Sequence, residues 1–193
     1  MTKIIALFAV ALLLTAPSVF AASYQVDPVH SQIRFTVPHL MVFKVRGNFN
    51  DFTGSIEADP ATNSLAAATA KIQVASIDTR NQKRDDHLRS PDFFNAALFP
   101  EITFVSTNIE GSGNNIIVTG VLTIKGNIKE VTLKGGFLGV ATDPWGNQRA
   151  GFEATGMINR RDFGLTWNKA LETGGVLIGD EVEIGLEVEA VMK

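Results

Sequence analysis

The sequence predicts an all-β fold, a sandwich or a barrel, and three observations support this. Apolar and polar residues alternate with a period of two, Gly- and Asn-rich breaks separate the alternating segments, and helical patterns are rare. The alternation is plainest in "EVEIGLEVEAVM" at residues 181–192, and "SQIRFTV" at residues 31–37 repeats it. Because one-sided alternation recurs along most of the chain, the strands are expected to share a single interior.

Seven further strands are predicted at residues 44–49, 54–58, 66–77, 102–110, 116–124, 130–140 and 151–159. The breaks "GSGNN" (111–115) and "DPWGNQ" (143–148) are typical of hairpin turns. Short helices are plausible only around residues 82–90 and 91–97. No linker and no internal repeat interrupts the pattern, so residues 22–193 are predicted to form one domain.

The first 21 residues have the organisation of a secretory signal peptide. Lys3 gives a positive start, residues 4–16 form a short uncharged apolar run, and small residues precede Ala22. The apolar run is too short for a membrane span. We therefore expect cleavage after Ala21 and a mature domain in the bacterial periplasm.

The composition excludes several classes of function. The formal net charge of −3 argues against nucleic acid, or an anionic membrane surface, as the main partner. The chain has no cysteine, which excludes disulfides, zinc thiolates and thiol nucleophiles. Thirteen phenylalanines accompany only two tryptophans and one tyrosine. These rings either fill a core or line an apolar tunnel, and periodicity alone does not distinguish the two arrangements.

The stretch "RDDHLRSPDFF", residues 84–94, has the highest density of ionisable side chains in the chain. It permits an enzyme hypothesis, a small hydrolase or isomerase in which His87 works with Asp85 or Asp86. No Gly-x-Ser-x-Gly elbow or glycine-rich phosphate loop accompanies it. The other interpretation is a charged helical turn that covers one end of the barrel. A third hypothesis is a solidly packed, stress-induced barrel that binds a partner through the acidic stripe of residues 181–189.

The three histidines do not predict a metal centre. His30, His39 and His87 lack the i, i+4 spacing of a helical zinc motif, and no Glu-x-x-His pair is present. We therefore predict no metal site and no catalytic residues. The second charged cluster, in "INRRDFGL", contains Arg160 and is expected to close a barrel end through an ion pair.

Several motifs in order resemble the YceI family of bacterial secreted proteins. They are "VDPVHSQIRFTVPHL", "VRGNFNDFTGSI", "SIDTRNQKRDDHLRSPDFFNAALFPEITFVST", "VTGVLTIKGNIKEVTL" and "INRRDFGL". The resemblance extends over essentially the whole mature chain. It implies a lipocalin-like, extended, eight-stranded antiparallel β-barrel with short helices near one end, and a homodimer.

The resemblance also implies a function. Family members hold a long isoprenoid or related amphiphile in an apolar tunnel, so a polyprenyl lipid, such as a quinone precursor, is the expected ligand, with no other cofactor. No agreed catalytic activity belongs to the family, so the chain is not expected to be an enzyme. Met41 and Phe43 replace residues that are often smaller, which is expected to narrow that end of the tunnel.

The residues around the ligand can be divided by chemistry. Polar donors inside an apolar tunnel are costly, so the head group is expected near the mouth. Candidate head contacts lie in or beside connections: His30, His39, Lys44, Arg84, His87 and Arg160. Candidate tail contacts are aromatic: Phe35, Phe49, Phe93, Phe94, Phe104 and Phe163.

Overall fold

The computed structural model describes residues 21–172 and 174–193. Apart from Ala21, the predicted signal peptide lies outside these residues. The described strands are β1 (Ala22–Val26), β2 (Gln32–His39), β3 (Phe43–Phe49), β4 (Phe52–Asp59), β5 (Ser64–Gln73), β6 (Ile77–Asp78), β7 (Glu101–Ser112), β8 (Asn115–Ile124), β9 (Asn127–Thr142), β10 (Gln148–Asn159) and β11 (Glu181–Met192). A single α-helix, α1 (Gln82–Arg89), and two short 3-10 helices, Val74–Ser76 and Arg160–Phe163, complete the described elements.

Eight of the strands close into an antiparallel barrel, which confirms the predicted fold class. The order is β1-β4-β5-β7-β8-β9-β10-β11, and β11 returns to β1 to close the wall. The hairpin β2–β3, with β6, branches from β11. Along β11, Ala190–Met192 pair with β1 whereas Glu183–Glu187 pair with β2. The β2–β3 hairpin therefore extends the wall at the end where β11 begins.

Helix α1 forms where the sequence predicts it, because suitable side chains stabilise both of its ends. The side chain of Asn81 accepts a hydrogen bond from the amide of Arg84, and His87 and Arg89 occupy the last turn. The buried carboxylate of Asp85 accepts hydrogen bonds from the amide (2.9 Å) and hydroxyl (2.5 Å) of Thr79. These bonds attach the helix to the chain that leaves β6.

The second predicted helix, at residues 91–97, is wrong. This segment is a series of turns that folds back onto the end of α1: the amides of Phe93 and Asn95 both donate to the carbonyl of Ser90. Asn95 has a left-handed φ of 52°, which interrupts any helical run. The strand predicted at residues 66–77 also ends early, at Gln73, where a 3-10 turn begins. Strand β1 was not predicted.

The apolar interior forms two clusters along the barrel axis. One contains Phe49, Phe52 and Phe163 and lies at the end that α1 covers. The other contains Tyr24 and Phe152 and lies toward the opposite end. Over the described residues, every helix is too short or too polar to cross a membrane.

Candidate functional site

The barrel encloses a cavity of about 410 Å³ between the two core clusters. This is within the range of roughly 300–1,000 Å³ that small-molecule sites occupy. Its lining is almost entirely apolar, with side chains from nearly every strand, among them Ile56, Ala68, Phe104, Leu122, Ala154 and Leu186. The inward face of the period-two pattern therefore surrounds an open volume, and the hypothesis of a solidly packed barrel is wrong.

Five of the six predicted tail residues line this cavity: Phe35, Phe49, Phe93, Phe94 and Phe104. The ring of Phe49 connects two of them, with centroid distances of 5.7 Å to Phe35 and 6.0 Å to Phe94. Phe163 is different: it is buried in the core cluster beside α1 and does not line the cavity. Whether the lining rings touch a ligand stays a prediction.

Glycines on neighbouring strands set the positions of two lining rings. Gly47 lies directly across from Phe35 in the β2–β3 ladder, and the Phe35 ring covers the space that a Cβ would fill. The ring of Phe104 covers Gly120 in the same way. Both rings thus lie along the barrel wall, which leaves the centre of the cavity open.

Polar and aromatic side chains meet where the cavity reaches solvent, a region we call the mouth: His39, Arg84, His87 and Trp167. The imidazole of His87 meets the rings of Phe93 and Trp167 edge-on, at centroid distances of 5.0 and 4.8 Å. Its Nε2 lies 2.9 Å from a carboxylate oxygen of Asp92. Because about 39% of the His87 side chain is exposed, this group borders both the cavity and water.

Arg84 contributes an exposed cation to the mouth. Its Nε donates to the hydroxyl of Thr79 (2.7 Å) and its Nη2 to the carbonyl of the same residue (2.8 Å). No carboxylate of the described residues lies within 4.0 Å of its guanidinium nitrogens. Arg84 is therefore held in place by neutral partners and makes no direct ion pair, and the Thr79 hydroxyl connects it to the carboxylate of Asp85.

Arg160 also lines the cavity, but its donors are already engaged. It donates to the carbonyls of Gly179 (2.8 Å), Trp167 (3.0 Å) and Leu165 and to the carboxylate of Asp180 (2.9 Å). Burial lowers the pKa of this guanidinium, although Asp180 opposes the shift. The ion pair expected from the sequence is present, and its carboxylate is Asp180.

The two remaining head candidates lie away from the cavity lining. Lys44 is exposed on the outer face of β3. His30 is exposed and its Nδ1 lies 2.9 Å from Asp27, in a network at the opposite end of the barrel. Arg149 is the centre of this network and donates to Asp27 (2.8 Å), Asp143 (2.9 Å) and Glu189 (2.6 Å).

This network holds the carboxylates of Asp27 and Asp143 in the charged form. The hydrogen bond with His30, and then the one from Arg149, lowers the pKa of Asp27 to about 2. Bonds from Asn147 and Arg149 lower the pKa of Asp143 well below its usual range. Ligand atoms of Asp27, His30 and Glu189 lie within 4.8 Å of one another. The guanidinium of Arg149 already supplies positive charge to both acids, so the arrangement is an ion-pair network.

The residues of the enzyme hypothesis do not converge. Asp85 is engaged with Thr79, and Asp86 accepts bonds from Gln82 (2.8 Å) and Arg89 (3.1 Å). The carboxylate beside His87 is that of Asp92. The predicted pairing of His87 with Asp85 or Asp86 is therefore wrong.

Sequence reasoning did not identify several residues of the mouth. They come from the segment between the second 3-10 helix and β11, which contributes Leu165, Trp167, Leu177 and Ile178 to the lining. This segment shows no alternation, and its shape depends on Asn168, whose side chain binds both the amide and the carbonyl of Ile178. The one feature of the sequence that could have drawn attention to this segment is Trp167 next to Asn168.

Fold and cavity together define a lipocalin-like barrel with an apolar internal cavity. Residues 24–190 match the profile of the YceI-like domain, and the chain belongs to the YceI family. It is 42% identical over 168 residues to a UPF0312 protein of Staphylococcus aureus (strain MSSA476), covering 86% of this chain and 96% of the relative. It is 38% identical over 184 residues to protein YceI of Salmonella newport, covering 94% and 93% of the two chains.

Solved structures agree with this assignment. BcnA of Burkholderia cenocepacia superposes with a TM-score of 0.71 at 30% identity, over 86% of this chain and 99% of BcnA. The YCEI protein of Campylobacter jejuni gives 0.70 at 35% identity, over 81% and 90% of the two chains. A polyisoprenoid-binding domain from Saccharophagus degradans gives 0.66 over 90% and 99%, but at 14% identity it supports the fold alone.

Proposed function

We propose that this protein binds a long isoprenoid or a related amphiphilic lipid, such as a quinone precursor, in its barrel cavity. The observation that carries the proposal is the apolar cavity of about 410 Å³, which opens beside the guanidinium of Arg84. Burial of an isoprenoid chain is favourable by roughly 25 cal/mol per Å² of apolar surface. A polar head needs donors, and the mouth is where water can solvate those donors when the cavity is empty.

The head group is proposed to contact His39, Arg84 or His87. The Nη1 of Arg84 makes no hydrogen bond to the described residues, whereas its other two nitrogens are engaged with Thr79. A guanidinium with one free edge suits an anionic head, and an imidazole suits a neutral carbonyl. Arg160, with its donors taken by carbonyls and Asp180, is proposed to shape the mouth without contacting the ligand.

Two further parts of the proposal concern where and how the protein works. The signal-like residues 1–21 suit a carrier in the periplasm. The family resemblance suits a homodimer. The Saccharophagus domain of the same fold is a polyisoprenoid-binding domain, which makes this ligand class the natural one to test here.

The decisive experiment is to extract gently purified protein with organic solvent and to analyse the extract by mass spectrometry. We expect an isoprenoid lipid in an amount that approaches one molecule per barrel. Stripped protein should then take up an added polyprenol or isoprenoid quinone. Recovery of no amphiphile, together with no uptake by the stripped protein, would contradict the proposal.

A matched pair of variants tests whether the cavity is the site. Ala68 lines the cavity on β5, and Ala66 is exposed on the same strand and outside the lining. The substitution Ala68→Leu should reduce lipid uptake because it fills part of the cavity. The control Ala66→Leu should leave uptake unchanged. Equal uptake by the two variants would place the lipid elsewhere.

A second pair tests the head contact on α1. Arg84→Ala should weaken the retention of a lipid with an anionic head, and Lys83→Ala, on the exposed side of the same helix, should not. The thermal midpoint is measured for both. If Arg84→Ala lowers the midpoint and the lipid is still held, Arg84 is a fold residue and the head group lies elsewhere.

A further inference from the structure

The hairpin turn between β2 and β3 exposes a continuous apolar surface. We call residues Leu40, Met41, Val42 and Phe43 the apolar tip. The exposed fractions of its last three residues are 67%, 78% and 62%. Met41 and Phe43 were expected to narrow the tunnel, but both are largely exposed and neither lines the cavity.

The backbone of the tip makes its apolar residues unusual. Leu40 and Met41 both have left-handed φ angles, of 52° and 65°. Glycine, asparagine and aspartate adopt this conformation at the lowest cost, and they are the ordinary residues of such turns. The fold alone would therefore favour small polar residues here, and the chain has large apolar ones at a steric cost.

The apolar tip is continuous with the mouth of the cavity. The amide of Leu40 donates to the carbonyl of Leu177 at 2.9 Å, and His39 forms a β-bridge with Ile178. Leu177, Ile178 and His39 all line the cavity. A lipid that leaves through the mouth thus passes directly beside the tip.

Basic side chains flank the tip. Lys44 and Arg46 are exposed on β3. Lys169, whose backbone carbonyl accepts a hydrogen bond from the amide of Leu177, is also exposed. No carboxylate of the described residues lies within 4.0 Å of these three cations. Two exposed acids lie near these cations: Glu172 on the same segment, and Glu183 of β11, which pairs with Thr36 across from Arg46. The three cations are therefore partly balanced. The net charge of −3 argues against a membrane partner for the molecule as a whole, but not for this end of it.

We propose that the apolar tip inserts into the interface of a lipid bilayer and brings the mouth against the membrane. This rests on the proposed function, because a lipid carrier must load from or unload into a bilayer. Insertion buries Met41, Val42 and Phe43 among acyl chains while Lys44 and Arg46 face anionic head groups. The lipid then moves between cavity and membrane without crossing water.

The test uses the absence of cysteine in the chain. Val42→Cys, labelled with an environment-sensitive fluorophore, gives a probe at the tip. Ala61→Cys gives the control, because it is exposed in the β4–β5 turn at the other end of the barrel. With vesicles of phosphatidylethanolamine and phosphatidylglycerol, the tip probe should shift to the blue and the control probe should not. No shift at the tip, or an equal shift at both positions, would overturn the proposal.

Unlabelled variants measure the strength of the contact by vesicle flotation. Val42→Asp should lower the partition coefficient about tenfold or more, because it replaces an inserted side chain with a charge. Trp145→Ser removes an even more exposed apolar residue, at 81%, from the turn between β9 and β10 and should change partitioning less than twofold. Equal losses in the two variants would overturn the assignment to the tip.

The membrane contact and the proposed lipid binding can each fail without the other. Wild-type protein that yields an isoprenoid on extraction but does not bind vesicles would overturn the membrane contact alone. Vesicle binding through the tip without any lipid in the cavity would overturn the carrier role alone. A Val42→Asp variant that loses self-association in light scattering, with no change in vesicle binding, would show that a second copy covers the tip and would overturn the proposal.

Discussion

Arg160 and Trp167 are connected by a hydrogen bond of 3.0 Å from the guanidinium Nη1 to the backbone carbonyl. Only about 3% of Arg160 is exposed, and the same side chain also binds carbonyls at Leu165 and Gly179. One buried cation thus organises the irregular segment that carries Trp167 to the mouth. The shape of the mouth therefore depends on a residue that needs no contact with the ligand.

We predict that Arg160→Ala lowers the free energy of unfolding by about 3 kcal/mol, because several buried carbonyls lose their donor. Arg161→Ala is the matched control: it removes an exposed ion pair with Asp180 and should cost less than about 1 kcal/mol. Urea denaturation measures both. In a Trp145→Phe background, the emission of Trp167 should also shift to the red in Arg160→Ala only. Similar small losses in both variants would contradict this role of Arg160.

The second prediction concerns acid stability at the opposite end of the barrel. The folded pKa of Asp27 is about 2, below its ordinary value of 3.8, so its ionised form stabilises the fold. This stability is fully present above pH 4 and is lost as the pH falls toward 2. Asp143, with a pKa lowered by Asn147 and Arg149, contributes with the same sign. We expect the free energy of unfolding to fall steeply below pH 4.

Arg149→Met tests the origin of this acid sensitivity. It leaves the carboxylates of Asp27, Asp143 and Glu189 without their shared cation. The variant should be less stable than wild type at pH 7, and the difference should shrink as the pH approaches 2, where the carboxylate of Asp27 becomes protonated. Urea denaturation at a series of pH values measures this. A difference that does not change with pH would show that Arg149 acts through packing instead of charge.

Much of the barrel could be predicted from the sequence because a half-buried strand has a local signature. In β11, Val182, Ile184 and Leu186 alternate with glutamates, and these side chains do line the cavity. β1 is a five-residue strand beside the signal-like segment, and its pattern is too short to recognise. Its place is set by partners distant in sequence, since Tyr24 pairs with both Ile56 and Met192.

The candidate site was less predictable because its geometry depends on contacts between distant segments. Local composition directed attention to Arg84 and His87, which both line the cavity. It did not reveal that His30 belongs to the Arg149 network at the other end, or that Phe163 packs beneath the lining. Trp167 reaches His87 only through the folding of the irregular segment around Arg160.

The third prediction concerns the hydroxyl of Tyr24. Tyr24 is fully buried, and its hydroxyl has no hydrogen-bond partner among the described residues. Burial also raises the pKa of this group. An unpaired buried hydroxyl costs about 1–3 kcal/mol. Tyr24→Phe should therefore raise the free energy of unfolding by about 1 kcal/mol, whereas Tyr24→Leu, which removes the ring that meets Phe152 edge-on, should lower it. A destabilised Tyr24→Phe would reveal a partner for the hydroxyl in solution.

The last prediction concerns Gly47, whose lack of a side chain keeps the cavity open. A Cβ at this position would overlap the ring of Phe35 and lie 2.8 Å from Cγ2 of Thr79. Because Phe35 lines the cavity, Gly47→Ala should force its ring inward, which reduces the space for a ligand and costs about 1–3 kcal/mol of stability. Gly151→Ala is the control, since its Cβ would meet Leu138 at an ordinary 3.4 Å.

Uptake of a polyprenol by stripped protein and urea denaturation are measured for both glycine variants. We expect Gly47→Ala to lose lipid capacity and Gly151→Ala to retain it. The two measurements separate the two roles of the Phe35 ring. If Gly47→Ala is destabilised but takes up lipid as the wild type does, the ring has moved within the wall and the cavity does not depend on Gly47. If stability and uptake both equal those of Gly151→Ala, the close packing of Phe35 on Gly47 affects neither the free energy of unfolding nor the cavity.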